Sequence, residues 1–226
     1  MTFSPSVSPE IFALRPDYRA LSIVVTNAKC GPSDDESQAS LLSACAQLDA
    51  APWADAHLES WREAYRAFGA KPQRTPCSAE ALRKRAQRDG SLPLLNAAVD
   101  LYNAISLRFA LPIGGEDIAG YQGSPILVRA RGDEVFETVQ DGAPREEHPE
   151  PGEVIWRDER GVTCRRWNWR QGVRTRIEDS SIAMWFVLER LDPMPIEALY
   201  EAGDQLIQSL TIKSPRLTSQ VTLLTP

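Results

Sequence analysis

The sequence predicts an α/β fold of the α+β type, on three observations. Apolar residues recur at helical spacing through most of the stretch from Pro9 to Phe109. From Ile126 onward the pattern turns to short β-rich runs separated by turns rich in Gly, Pro and Asp. After Asp192-Pro193-Met194-Pro195, a last amphipathic helix carries Ile196, Leu199, Tyr200, Gly203, Leu206, Ile207 and Leu210 on one stripe. With 226 residues and no long flexible linker between apolar blocks, a single domain over 1–226 is expected.

The elements follow in order. Ser8-Pro9-Glu10 reads as a helix start, with Ser8 as cap and Pro9 at the first helical position. Leu21 to Val25 is a strand, and Gly31-Pro32-Ser33-Asp34-Asp35 is a turn before a helix from Glu36 to Leu48. Leu58, Trp61, Tyr65 and Phe68 form the core stripe of a second helix that stops at Gly69. Ser78 is expected to cap a basic helix that runs to Asp89 and ends at Gly90. Another helix covers Pro93 to Phe109, and the paired glycines of Pro112-Ile113-Gly114-Gly115-Glu116-Asp117 suggest a loop that walls a pocket. Strands are expected at Ile126 to Arg131, Glu134 to Val139, Val154 to Arg157, Val162 to Trp169 and Ile182 to Glu189. In the fourth, Val162, Cys164, Arg166 and Asn168 would share one face, and Arg165, Trp167 and Trp169 the other. The tail from Thr211 reads as a strand or an arm.

Composition narrows the chemistry. The net charge of −6 argues against a broad nucleic-acid-gripping surface, although Arg83, Lys84, Arg85 and Arg88 cluster on one helix. A second cluster comprises Arg165, Arg166, Arg170, Arg174 and Arg176. Cys30, Cys45, Cys77 and Cys164 are widely spaced without a CxxC pair, so neither a disulfide framework nor a zinc knuckle is indicated. His57 and His148 are the only histidines, which leaves little for histidine catalysis. No metal and no cofactor are expected. The start, Met1-Thr2-Phe3-Ser4-Pro5, lacks a secretory pattern, and no run approaches the roughly 20 apolar residues that span a bilayer. A cytoplasmic protein with no membrane partner is expected.

The most informative feature is a polar seam on an apolar helix. Asn96, Asp100 and Asn103 fall at i, i+4 and i+7 and so share one side, while Leu95, Ala98, Leu101, Tyr102 and Ile105 call for burial. The seam faces either a satisfied hydrogen-bond network or a small-molecule pocket, because an unpaired buried polar group costs roughly 2 to 7 kcal/mol. Nucleophile-elbow, phosphate-loop and zinc-ligand motifs are absent. The remaining polar set is the seam, Gly114-Gly115, Arg166, Asn168, Arg170 and Glu189. Such a set orients a polar ligand and a water rather than attacking covalently. Trp167 and Trp169 read first as packing residues.

The order Asn96-x-x-Val99-Asp100-x-x-Asn103, then Pro112 and Asp117, resembles the B3/B4 domain of the bacterial phenylalanyl-tRNA synthetase β subunit. The resemblance continues through Gly152-Glu153-Val154-Ile155, Asp158-x-x-Gly161 and Leu188-Glu189. With Trp61-Arg62-x-Ala64-Tyr65-x-x-Phe68-Gly69 and Arg165-Arg166-Trp167-Asn168-Trp169-Arg170-Gln171, the chain looks like the freestanding B3/B4 proteins. The B3/B4-like core would span about 11–191, with the C-terminal helix and tail at about 195–226.

The resemblance implies a mixed, mainly antiparallel sheet flanked by helices. It also implies an editing protein that acts in trans on the acceptor end of tRNA or aminoacyl-tRNA and hydrolyses the ester of a misacylated product. The implied catalytic set is Asp100, Asn103, Arg166 and Asn168. Asn96, Gly114, Gly115, Asp117, Trp167 and Glu189 would bind substrate, and Arg83, Lys84, Arg85 and Arg170 would meet tRNA. The synthetase motif reads Pro-Leu-His-Ala-Phe-Asp where this chain has Pro112-Ile113-Gly114-Gly115-Glu116-Asp117. Gly114 thus replaces the histidine of the synthetase site, and substrate identity does not carry over. A non-catalytic amino-acid or metabolite binding module and an RNA or protein interaction module stay open as rivals. The sequence is silent on oligomeric state.

Overall fold

The computed structural model describes residues 3–29 and 31–226. Met1, Thr2 and Cys30 lie outside the described residues. The elements in chain order are β1 (Ser6–Val7), α1 (Pro9–Leu14), β2 (Arg19–Thr26), α2 (Asp35–Cys45), α3 (Ala54–Ala67), α4 (Ser78–Asp89), α5 (Ala97–Phe109) and β3 (Ile113–Asp117). A 3-10 turn at Ile118–Gly120 leads to β4 (Ile126–Arg129), β5 (Phe136–Gln140), β6 (Ala143–Glu147), β7 (Val154–Arg157), β8 (Val162–Arg165) and β9 (Arg170–Gln171). The chain closes with β10 (Met184–Arg190), α6 (Ile196–Lys213) and β11 (Thr218–Leu224).

These strands form two sheets. One runs β11-β2-β10-β3 and is antiparallel throughout; the other runs β1-β4-β7-β8-β5-β6, with β9 paired to β8. Among the described residues only β1/β4 and β5/β8 are parallel, so the α+β architecture with a mixed, mainly antiparallel sheet is as expected. The period of two along β10 separates two cores. Met184, Phe186 and Leu188 pack with Leu21, Ile23, Ile105 and Leu206 under α5 and α6. Trp185 and Val187 face the other way, toward Trp61, Tyr65, Trp156 and Trp167 between α3 and the second sheet.

Several local expectations are corrected. Gly114 and Gly115 lie within a strand rather than a loop, because β3 pairs with β10 at Gly114↔Val187 and Gly115↔Phe186. The predicted strand from Val162 to Trp169 stops at Arg165, since Arg166 and Trp167 adopt φ of +48° and +68° and turn the chain into β9. The Arg166 amide donates to Glu153 Oε1 at 3.1 Å, and the Trp167 amide donates to the Val154 carbonyl at 2.6 Å, which fixes that turn. The face alternation expected beyond Arg165 therefore does not exist. Cys77, not Ser78, occupies the N-cap of α4. Pro93 to Leu95 are not helical, and Asn96 is itself the N-cap of α5. The tail forms β11 on the free side of β2, and β5–β6 is a hairpin that the strand reading passed over.

Candidate functional site

The free edge of β3 positions an inner cavity of about 250 Å³. It is smaller than the roughly 300–1,000 Å³ typical of drug-sized ligands. The four-stranded sheet contributes one face to it: Gly114 and Glu116 from β3, and Trp185, Val187 and Glu189 from β10. Tyr102 and Asn103 come from α5, Ser78 from α4, Trp156, Cys164 and Gln171 from the second sheet, and Trp167 and Asn168 from the turn after β8. An outer groove of about 640 Å³ shares Tyr102, Gly115 and Gln171 with this cavity and adds Asn96, Arg176 and Asp179. Gly115 directs its carbonyl to the free edge of β3, where Gln171 Nε2 donates to it at 2.9 Å. Backbone N–H and C=O of one residue lie on the same side of an antiparallel strand, so the Gly115 N–H faces that edge as well.

Two buried carboxyls sit in the cavity wall in different states of satisfaction. Glu189 is fully buried and accepts from three donors: Tyr18 OH at 2.8 Å, Trp156 Nε1 at 3.3 Å and Asn168 Nδ2 at 2.9 Å. Burial raises its pKa to about 7, and those donors hold it from rising further. Glu116 is 4% exposed, and its Oε2 has no hydrogen-bond partner among the described residues. Burial raises its pKa to about 8 despite the nearby Thr175 and Gln171 side chains. Cys164, which lines the same cavity, is buried with its thiol pushed well above the usual range, first by burial and then by Glu116.

The structure brings together Asn103, Gly114, Gly115, Trp167, Asn168 and Glu189 at the inner cavity, and Asn96 at the groove. The seam divides. Asn96 accepts from the Val99 amide at 3.0 Å and donates to the Ile177 carbonyl at 3.1 Å. Asp100 is fully buried and accepts from the hydroxyls of Ser33 and Ser37 and from the Leu95 amide at 3.0 Å. It ties the loop before α5 to the start of α2 and lines neither cavity. Asn103 alone presents to the cavity a carboxamide that no protein group engages among the described residues.

Other expected site residues lie elsewhere. Asp117 accepts from the Ala119 amide at 2.8 Å and from Ser181 Oγ at 2.5 Å, and so holds the chain after β3. Because β8 ends before it, Arg166 is carried to a separate hollow with Phe68, Lys71 and Arg74, its guanidinium 4.5 Å over the Trp169 ring. Arg83 is buried, donating to the Leu48 carbonyl, and is not placed to meet a phosphate. Lys84 pairs with Glu80 at 2.6 Å, Arg85 with Asp89 at 3.7 Å and Arg170 with Glu147 at 3.4 Å. His57 is buried with its pKa lowered to about 4 by burial, one nitrogen against the Ala110 carbonyl and the other accepting from Trp61 and the Leu191 amide. Among the described residues no cluster of His, Cys, Asp and Glu is arranged to hold a metal, and no helix is long and apolar enough to cross a membrane.

Sequence reasoning missed Glu116, Gln171, Trp156, Trp185 and Ser78. For Glu116 a signal existed: read as a strand, Ile113 to Asp117 puts Gly114 and Glu116 on one face.

No curated protein sequence matches the chain. Among solved structures, an N-terminal fragment of the phenylalanyl-tRNA synthetase β-subunit from Pyrococcus horikoshii is similar, with 11% identity and a TM-score of 0.47. The alignment covers 99% of this chain and 51% of that one, so the chain spans about half the length of the fragment. The family model described as the B3/4 domain matches residues 60–202, which contain α4, α5, the edge strand β3 and the whole second sheet except β1. With more than half of its length matched, the chain belongs to the B3/4 domain family.

Proposed function

We propose that the protein acts on aminoacyl-tRNA in trans, taking the aminoacyl group of a misacylated acceptor end into the inner cavity and hydrolysing its ester. The observation that carries this reading is an amino-acid-sized cavity, in a B3/4 family member, with uncommitted polar groups at an end continuous with an open groove. The groove would take the terminal ribose. Asn103 and the Gly115 N–H would orient the ester carbonyl and a water and receive the developing oxyanion. Water adds to the carbonyl carbon, the acyl C–O bond to the ribose breaks, and the free amino acid and the tRNA hydroxyl leave. No covalent enzyme intermediate is needed for so labile an ester.

Electrostatic attraction to tRNA would be modest, because Lys84, Arg85 and Arg170 each have an acidic partner. The exposed Arg176 at the groove has no ion pair among the described residues and is the better phosphate contact. That charge balance is also what favours a second reading, a small-molecule receptor without turnover. Purified protein incubated with a panel of mischarged tRNAs separates the two. Deacylation above buffer that is lost in Asn103→Ala supports hydrolysis; no deacylation of any pair, with wild-type and variant equally folded, rules it out.

A further inference from the structure

We propose that Glu116 makes the inner cavity a receptor for an ammonium group on an amino acid whose carboxyl is blocked, so that the site accepts aminoacyl esters and refuses free amino acids. The proposal rests on the reading above in that the cavity receives an aminoacyl group, and it adds how that group is recognised.

Glu116 is 96% buried and lines the cavity, and its Oε2, itself shielded from solvent, has no hydrogen-bond partner among the described residues. A buried carboxyl left so is costly unless a ligand completes it. An ammonium does so with charge-assisted hydrogen bonds, which are about twice as strong as neutral ones. Glu189 does not compete for that role, since three protein donors already occupy it. Gln171 is committed as well, donating to the Gly115 and Thr175 carbonyls at 2.9 and 3.3 Å.

The rest of the wall sets the second half of the selectivity. No lysine, arginine or histidine lines the inner cavity among the described residues. A free α-carboxylate would therefore lose its hydration beside two carboxyls with no cation to receive it. Esterification removes that charge and leaves the ammonium. The same wall thus holds an aminoacyl ester and releases the carboxylate product, which is the direction a hydrolytic site requires.

Calorimetric titration with amides of alanine, leucine, phenylalanine and tyrosine tests this, since amides mimic the blocked carboxyl without being consumed. Each is compared with its free amino acid and its N-acetyl amide on the wild-type protein, and then on Glu116→Gln. The expected result is binding of at least one amide that is weakened about tenfold or more by freeing its carboxyl, by acetylating its amine, and by Glu116→Gln. Failure of every amide to bind, equal binding of the N-acetyl or free forms, or unchanged affinity in Glu116→Gln overturns the proposal. The wild-type comparisons stand even if the variant misfolds. Glu116-dependent amide binding without tRNA deacylation would remove only the hydrolytic reading, whereas deacylation with no ammonium preference would remove only this one.

Discussion

Asn168 and Glu189 are locked together in the wall of the inner cavity: the Asn168 Nδ2 donates to Glu189 Oε2 at 2.9 Å. The opposite end of the same carboxamide accepts from Tyr65 OH at 2.9 Å and from the Ser78 amide at 3.4 Å. One side chain from a strained turn therefore joins α3, α4 and β10 behind the pocket. Substituting Asn168 with Ala leaves a buried carboxyl short of a donor and a tyrosine hydroxyl short of an acceptor. Urea unfolding is expected to show a loss of about 1–3 kcal/mol. Asn168 is also the strongest of the groups that hold the Glu189 pKa down, so that pKa should rise further in the variant. A variant as stable as wild type would show that the turn does not depend on this bridge.

Glu116 links the site to pH. Its pKa is about 8 in the folded protein against 4.5 for a free glutamate, so between these values the folded state binds more protons than the unfolded one. Stability must then fall as pH rises from about 5 through about 8. The charged groups acting on Glu116 are Arg174, which favours its ionisation, and Asp158, which opposes it. These two are paired with each other at 2.7 Å, and Asp158 already sits below its usual range, so it stays ionised through this window. Glu189, at about 7, adds a slope of the same sign. Glu116→Gln should therefore flatten part of the wild-type decline and gain stability relative to wild type above pH 8. Denaturant midpoints measured from pH 5 to 9 for both proteins test it, and parallel curves would mean that Glu116 ionises freely in the fold.

What the sequence made legible divides along physical lines. Helices α2, α3, α4 and α6 follow from periodicity because each has one buried face to satisfy, whereas α5, β2 and β7, buried nearly all round, follow from their apolar runs. The turn at Arg166-Trp167 was not legible, since positive φ there falls on two residues that ordinarily avoid it and is imposed by Glu153 and Val154. The hairpin at Asp141-Gly142, by contrast, carried the usual Asp-Gly signature between two strands. The seam was legible as a shared face but not as a shared task. Which of its three members meets the cavity depends on where α5 begins and on what α2 brings to Asp100, and both are tertiary facts.

That division predicts opposite behaviour for two residues of the seam. Asp100→Ala removes the acceptor of the Ser33 hydroxyl and the Leu95 amide in a buried setting, and hydrogen bonds to a charged group are worth about 1.5–3 kcal/mol each. It should lower stability by at least that much. Asn103→Ala breaks no protein hydrogen bond and should leave stability within about 1 kcal/mol while weakening amide binding or deacylation. Unfolding curves run beside the functional assays decide the point. An Asp100→Ala protein of normal stability but no activity would return Asp100 to the chemistry.

The adjacent glycines of β3 should also part company. A methyl at Gly115 would stand 2.7 Å from Tyr102 Cε1, 3.0 Å from Ile177 Cδ1 and 3.1 Å from Phe186 Cε1, three side chains from three different segments. Relief requires Tyr102 to move, and Tyr102 walls both the inner cavity and the groove. Overpacking of this kind costs about 1–3 kcal/mol. At Gly114 the same methyl meets only Val187 Cγ1, at 3.2 Å, on the face that lines the cavity. Gly114→Ala should therefore stay within about 1 kcal/mol of wild type yet narrow the pocket, so that phenylalanine and tyrosine amides lose affinity before alanine amide does. Gly115→Ala should lose stability and weaken all of them together. Equal stability of the two variants, or a loss of affinity blind to ligand size in Gly114→Ala, would show that β3 does not form the wall of the cavity.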